Sequence, residues 1–182
     1  SGGLSTSGFV QSGGVLAGTG GLTVGNSFSK TGGTLSLSGA VTITQASGNL
    51  VLSNNGALTF GNLLASSGNI SIDVAGGVPT LGTISAPAGS ITGIAHSPMT
   101  IGGAVTAAHD IALTAGATGS PGDDLTLNAP VTSTGGGNIM LVGGDNVLQN
   151  SHVSTNGGNV MVEATTGSIV MAANAATSSA GG

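Results

Sequence analysis

The sequence predicts an all-β fold: a parallel β-solenoid of short strands stacked coil on coil, with almost no helix. Three observations carry that prediction. Two stretches near the N-terminus are near copies, nineteen residues apart. Phe9, Gly13, Gly14 and Leu16, closed by Leu22-Thr23-Val24, align with Phe28, Gly32, Gly33 and Leu35, closed by Val41-Thr42-Ile43. A repeat this short cannot bury its own apolar face, so it must stack on its neighbours. Apolar-x-apolar triplets recur along most of the chain, and alternation with period two marks a strand with one face inside. Glycine is dense (36 of 182 residues) and no apolar spacing of 3.6 residues is sustained, which leaves little room for helix.

The triplets fall at Leu22/Val24, Leu35/Leu37, Val41/Ile43, Leu50/Leu52, Leu58/Phe60, Ile70/Ile72, Met99/Ile101, Ile111/Leu113, Leu125/Leu127, Ile139/Leu141, Val160/Val162 and Ile169/Met171. Their middle residues, often Thr or Ser, face outward. A second strand type alternates with them, around Val105, Val131 and Val153. Turn-forming pairs precede many triplets: Gly48-Asn49, Gly61-Asn62, Gly68-Asn69, Gly89-Ser90, His109-Asp110, Asp123-Asp124, Gly137-Asn138, Gly158-Asn159 and Gly167-Ser168. Asn, Asp and Gly tolerate the left-handed backbone expected at a corner. Steps of 20 and 21 residues separate Asn69, Ser90 and Asp110; steps of 14 and 9 elsewhere suggest a lengthened corner or a skipped strand.

These spacings predict coils of about 19 to 21 residues, stacked about 4.8 Å apart, in a rod roughly 40 to 45 Å long. Residues 1–182 read as one continuous solenoid. Residues 1–45 carry regular nineteen-residue repeats, and residues 46–182 carry drifting repeats with Gly-Asn corners. No polar capping repeat is evident, and the chain reads as an excerpt or mature piece of something longer.

Composition removes several functions. Charged residues make up 4% of the chain, against about 25% in ordinary proteins. Lys30 is the only basic side chain, too few to neutralise nucleic-acid phosphates or an anionic membrane surface. No apolar run approaches a membrane span. Cysteine is absent, which fits a reducing compartment or a secreted protein stabilised by stacking.

Candidate chemistry is sparse. Asp123 and Asp124 are adjacent, so they read as a corner rather than a reacting pair. Asp110, Asp124, Asp145 and Glu163 are candidates for a structural Ca²⁺ site if they align across coils. His96, His109 and His152 lack ligand spacing, and His152 stands where Pro130 stands one coil earlier, at an exposed strand start. No Gly-x-Ser-x-Gly elbow occurs. Asn69-Ile70-Ser71 is a formal glycosylation sequon lying on a strand. These readings lead to no catalytic residue, no resident metal and no cofactor. Met140 and Met161, 21 residues apart, read as a stacked outward pair that serves lateral packing or filament contact.

The Gly-Gly-x-Leu units followed by Leu-Thr-Val, and the Gly-Asn-Ile-x-Leu and Gly-Gly-Asn-Val-x-Val units, resemble the repeats of filamentous-haemagglutinin-like and related β-strand-repeat bacterial surface exoproteins. The resemblance spans roughly residues 9 to 171. It implies secretion to the cell surface, a right-handed parallel β-helix shaft, and a role in adhesion, filament or biofilm formation. The functional expectation is therefore a non-enzymatic extracellular solenoid whose main partner is itself, with a host or neighbouring cell surface as another. An ice-binding solenoid is the alternative, weakened where Val51, Ala112, Met140 and Met161 interrupt the outward Thr positions. A polysaccharide-active β-helix enzyme is a poorer one, since Arg, Trp and Tyr are absent.

Overall fold

Alternating apolar residues bounded by Gly, Asn and Ser give strands of two to nine residues. The computed structural model describes residues 2–116 and 120–180, and among them there is no helix. The first two coils hold β1 (Leu4–Gln11) and β2 (Val15–Gly18), then β3 (Leu22–Lys30) and β4 (Thr34–Leu37). The third holds β5 (Val41–Gln45) and β6 (Leu50–Asn54). The fourth holds β7 (Phe60–Ala65), β8 (Ile70–Val74) and β9 (Thr80–Leu81), and the fifth β10 (Ile84–Ala86), β11 (Ile91–Ala95) and β12 (Met99–Ile101). The sixth holds β13 (Val105–Ala107), β14 (Ile111–Ala115) and β15 (Leu125–Leu127), and the seventh β16 (Val131–Ser133), β17 (Ile139–Gly143) and β18 (Val147–Gln149). The last full coil holds β19 (Val153–Thr155), β20 (Val160–Ala164) and β21 (Ile169–Met171), and β22 (Thr177–Ser179) follows.

Every ladder is parallel, and the strands sort into faces of a solenoid. The first face is a nine-stranded sheet, β1-β3-β5-β7-β10-β13-β16-β19-β22. The second is β6-β8-β11-β14-β17-β20 and the third β9-β12-β15-β18-β21, with β2 and β4 as a separate pair. Nine stacked strands span about eight turns, or about 38 Å at the usual strand spacing. The repeat alignment holds residue for residue: Phe9 pairs with Phe28, Leu16 with Leu35, and Leu22 with Val41. The Phe9 and Phe28 rings stack with centroids 5.5 Å apart.

The core is a set of columns. On the first face Val24, Ile43, Leu63, Ile84, Val105, Val131 and Val153 follow one another, all buried. On the second face Leu50, Ile70, Ile91, Ile111 and Ile139 do the same. Such stacking buries each side chain against its counterparts above and below, so each apolar residue contributes roughly 1.5–3 kcal/mol without any one coil having a core of its own.

The cross-section changes along the rod. β1 and β3 run from the first face onto the second as single strands, and a register shift between Thr6 and Gly8 marks the bend. β3 also packs against β6, where Lys30 Nζ donates to the Ser53 carbonyl. From the third coil onward a corner separates the two faces. Coil length grows from nineteen residues (Leu22 to Val41) to 28 (Ile111 to Ile139). The excess in the sixth coil lies between β14 and β15.

Three expectations about corners are revised. Gly61-Asn62 lies inside β7 and is not a corner. The fourteen-residue step from Asp110 to Asp124 and the nine-residue step from Asn159 to Ser168 join corners of different faces, so neither marks a skipped strand. No residue other than glycine has positive φ among the described residues, so the corner Asn and Asp side chains are not there for left-handed backbone. The last strand, β22 (Thr-Ser-Ser), lies on β19 in the first face.

Candidate functional site: corners, outer columns and end faces

Many of the Asn and Asp side chains bond to backbone of a neighbouring coil. Two ladders run along its corners. Before the second face, Asn49 Oδ1 accepts the Asn69 N–H (2.9 Å) and Asn69 Oδ1 the Ser90 N–H (2.8 Å). Farther along, Asp110 Oδ1 accepts the Asn138 N–H and Asn138 Oδ1 the Asn159 N–H. Before the third face, Asp124 Oδ1 accepts the Asn146 N–H and Asn146 Oδ1 the Ser168 N–H. Each side-chain oxygen closes the orphan donor of the next coil. The glycine ahead of the ladder residue is needed for space: a Cβ on Gly89 would collide with the Gly68 carbonyl.

Where a strand lacks a backbone neighbour, a buried amide substitutes for one. Asn54 Oδ1 accepts the Leu35 N–H (2.8 Å) while its Nδ2 donates to the Leu35 carbonyl (3.0 Å). Gln45 Oε1 takes the Phe28 N–H (2.7 Å), at the place where the corner first appears. Gln149, fully buried, donates to the Ser151 and Ala176 carbonyls and accepts from Thr177 Oγ1. Lys30 works similarly: Nζ donates to the Gly33 and Ser53 carbonyls at 2.7 and 2.6 Å, and burial holds its ammonium below the ordinary lysine range.

The candidate Ca²⁺ ligands do not converge. Among the described residues no three His, Asp or Glu side chains could share an ion. Asp110 and Asp124 serve the ladders, Asp145 Oδ2 accepts the Gly122 N–H, and Glu163 points outward from β20. Asp123 is buried, with Oδ2 on the Ser120 N–H, in the turn before β15. His96 Nε2 lies 3.0 Å from Asp73 Oδ1 on the outer surface. His109 and His152 are exposed, His152 just before β19 as Pro130 is before β16. Asn69 of the sequon carries a ladder bond through its side chain.

The outer columns differ from face to face. On the second face Val51, Ser71, Thr92, Ala112, Met140 and Met161 are in register. Met140 and Met161 are 38% and 45% exposed and form a stacked pair. On the third face Thr59, Thr80, Thr100 and Thr126 make an unbroken threonine run before Leu148 and Val170 replace it. Sequence reading missed this run because the strand of Thr80 is only two residues long. On the first face Thr132, Thr134, Ser154 and Asn156 line a shallow groove of about 290 Å³.

No family model, no curated protein and no solved structure matches this chain.

At the N-terminal end Leu4, Val10 and Val15 are exposed, and Phe9 and Leu16 are only partly covered. At the C-terminal end Ile169 and Met171 are about half exposed, although they continue the buried columns of Val147 and Gln149. Val160, Val162 and Ala164 are likewise partly open. β1 and β2 at one end, and β20, β21 and β22 at the other, each have one strand neighbour and one free edge.

Proposed function

We propose that the chain is a structural β-solenoid: a rod that serves as the shaft of an adhesin or as a subunit of a surface filament, outside the cell and without catalytic activity. One observation carries the reading. Buried apolar columns run in register through about eight turns of parallel strands, the build of a continuous shaft. The spending of carboxylates and amides on corner bonds supports it further, since among the described residues no three His, Asp or Glu side chains gather at one place. The resemblance to filamentous-haemagglutinin-like repeats points the same way. Electron microscopy of concentrated protein is expected to show rods or fibres with strands perpendicular to the long axis. Dispersed particles of one-rod length at every concentration would remove the filament part of the proposal.

A second reading, an ice-binding surface, is favoured only by the run Thr59, Thr80, Thr100 and Thr126. The run is one residue wide and four coils long. A thermal-hysteresis measurement decides it, and no hysteresis is expected.

A further inference from the structure

Two asparagines in the chain are followed by glycine, Asn55 and Asn156. Both lie in exposed bends, Asn55 just after β6 and Asn156 just after β19. The following glycine matters chemically, because it has no Cβ to shield its amide nitrogen from the asparagine side chain. The amide nitrogens of Gly56 and Gly157 also have no hydrogen-bond partner among the described residues. The ladder asparagines are the opposite case. Asn49, Asn69, Asn138 and Asn146 each have Oδ1 bonded to an N–H of the next coil. The residues after them are Leu50, Ile70, Ile139 and Val147, whose own N–H groups bond to carbonyls of the next coil at 2.8 to 3.0 Å.

We propose that Asn55 and Asn156 are sites of spontaneous deamidation through a succinimide, and that the corner ladders keep their own asparagines intact. The glycine nitrogen forms a bond to the asparagine Cγ. Its proton leaves with the Nδ2 group as ammonia, and a cyclic imide remains. Water then opens the imide. Attack at the side-chain carbonyl gives aspartate, and attack at the main-chain carbonyl gives isoaspartate. Nothing is oxidised or reduced, and water is the only co-reactant. At a ladder asparagine the attacking nitrogen must first give up its bond to the next coil, and Cγ must swing away from the bond made by Oδ1. A leucine or β-branched side chain crowds the same nitrogen.

Each conversion adds a carboxylate to a chain that has only six acidic side chains. At Asn156 the change falls in the shallow groove beside Thr132, Thr134 and Ser154, which has no charged side chain. Asn156 Nδ2 donates to the Thr134 carbonyl at 3.3 Å, and a carboxylate in its place faces that oxygen without a proton to share. The groove on the first face therefore turns from neutral to acidic as the protein ages. At Asn55 the new carboxylate arises in the same surface hollow as Lys30, the one basic side chain of the sequence.

Peptide mapping by mass spectrometry, after incubation of the folded chain in mildly alkaline ¹⁸O-labelled water, tests this. Asn55 and Asn156 are expected to become labelled mixtures of aspartate and isoaspartate, many-fold faster than Asn49, Asn69, Asn138 and Asn146. The same chain unfolded in guanidinium chloride is the reference, in which the ladder asparagines lose their protection. Retention of either Asn-Gly amide in the folded chain, over the time in which the unfolded chain loses it, would overturn the proposal. Conversion of the ladder asparagines as fast as Asn55 and Asn156 in the folded chain would do so too. Gly56→Ala checks the route. Gly56 lies outside the left-handed region, and a Cβ there meets nothing nearer than 3.7 Å, so the fold accommodates alanine. The variant is expected to lose the Asn55 product many-fold while Asn156 converts at the parent rate. Undiminished conversion at Asn55 would refute attack by the neighbouring nitrogen.

Discussion

At the scale of single residues, stability depends on a few side chains that imitate backbone. Asn54 is the clearest, because its amide meets both the N–H and the carbonyl of Leu35 in a buried place. Asn54→Ala leaves a buried donor unpaired and is expected to cost about 1–3 kcal/mol. Asn62→Ala, at an exposed position, is expected to fall within about 0.5 kcal/mol of the parent. Urea titrations of the two variants compare them directly. Lys30 offers a pH test. Its burial lowers the folded pKa, so the folded state releases the proton before the unfolded chain does. Below the folded value both states are protonated and the burial cost stands in full. Stability should therefore rise as pH climbs from the folded value to the ordinary one, a rise that Lys30→Met abolishes. The lysine is unique in the chain, so one ¹³Cε resonance reports its titration. Sequence reading located the Asn and Asp corners except at Gly61-Asn62, but it assigned them the wrong task. Turn propensity is a local property of the residue. The ladder bond joins residues 20 to 28 apart, and nothing local announces it.

At the scale of strands, the legible elements were those with two apolar residues facing in. β14, β15 and β17 are of this kind. β11 and β18 were missed because one inward position holds something else: Gly93 in β11, and the buried Gln149 in β18. β10 was missed because Ala86 is a weak apolar signal. In this column small residues give way to hydroxyls, as Ala107 pairs with Ser133 and Ser133 with Thr155. Those hydroxyls bond to corner carbonyls, Ser133 to His109 at 2.8 Å and Thr155 to Gly137 at 2.6 Å. A polar residue could thus sit inside without penalty, and alternation alone could not find it. The outward Met140 and Met161 were legible, since a coil of 21 residues brings them into register. Replacing both with Ser removes an exposed apolar stripe without touching a core column. Lateral bundling of rods in light scattering is expected to fall, while the melting temperature moves by no more than about 2 °C.

At the scale of the whole molecule, two facts about direction combine. The strands run across the rod, so their hydrogen bonds run along it. β1 and β22 occupy opposite edges of the nine-stranded sheet. A pull on the two ends therefore loads the bonds of one coil at a time, as a zipper does, instead of shearing many together. Yielding should begin at an outermost coil and advance inward. Each event should release roughly 70 Å of chain, the extended length of about twenty residues. An optical-trap trace showing a staircase of such steps at low force would bear this out; a single rip at high force would contradict it. A tether built this way limits the load reaching whatever it holds. Under a sudden tug it lengthens severalfold, coil by coil, and the coils still stacked act as the template on which the lost ones rewind.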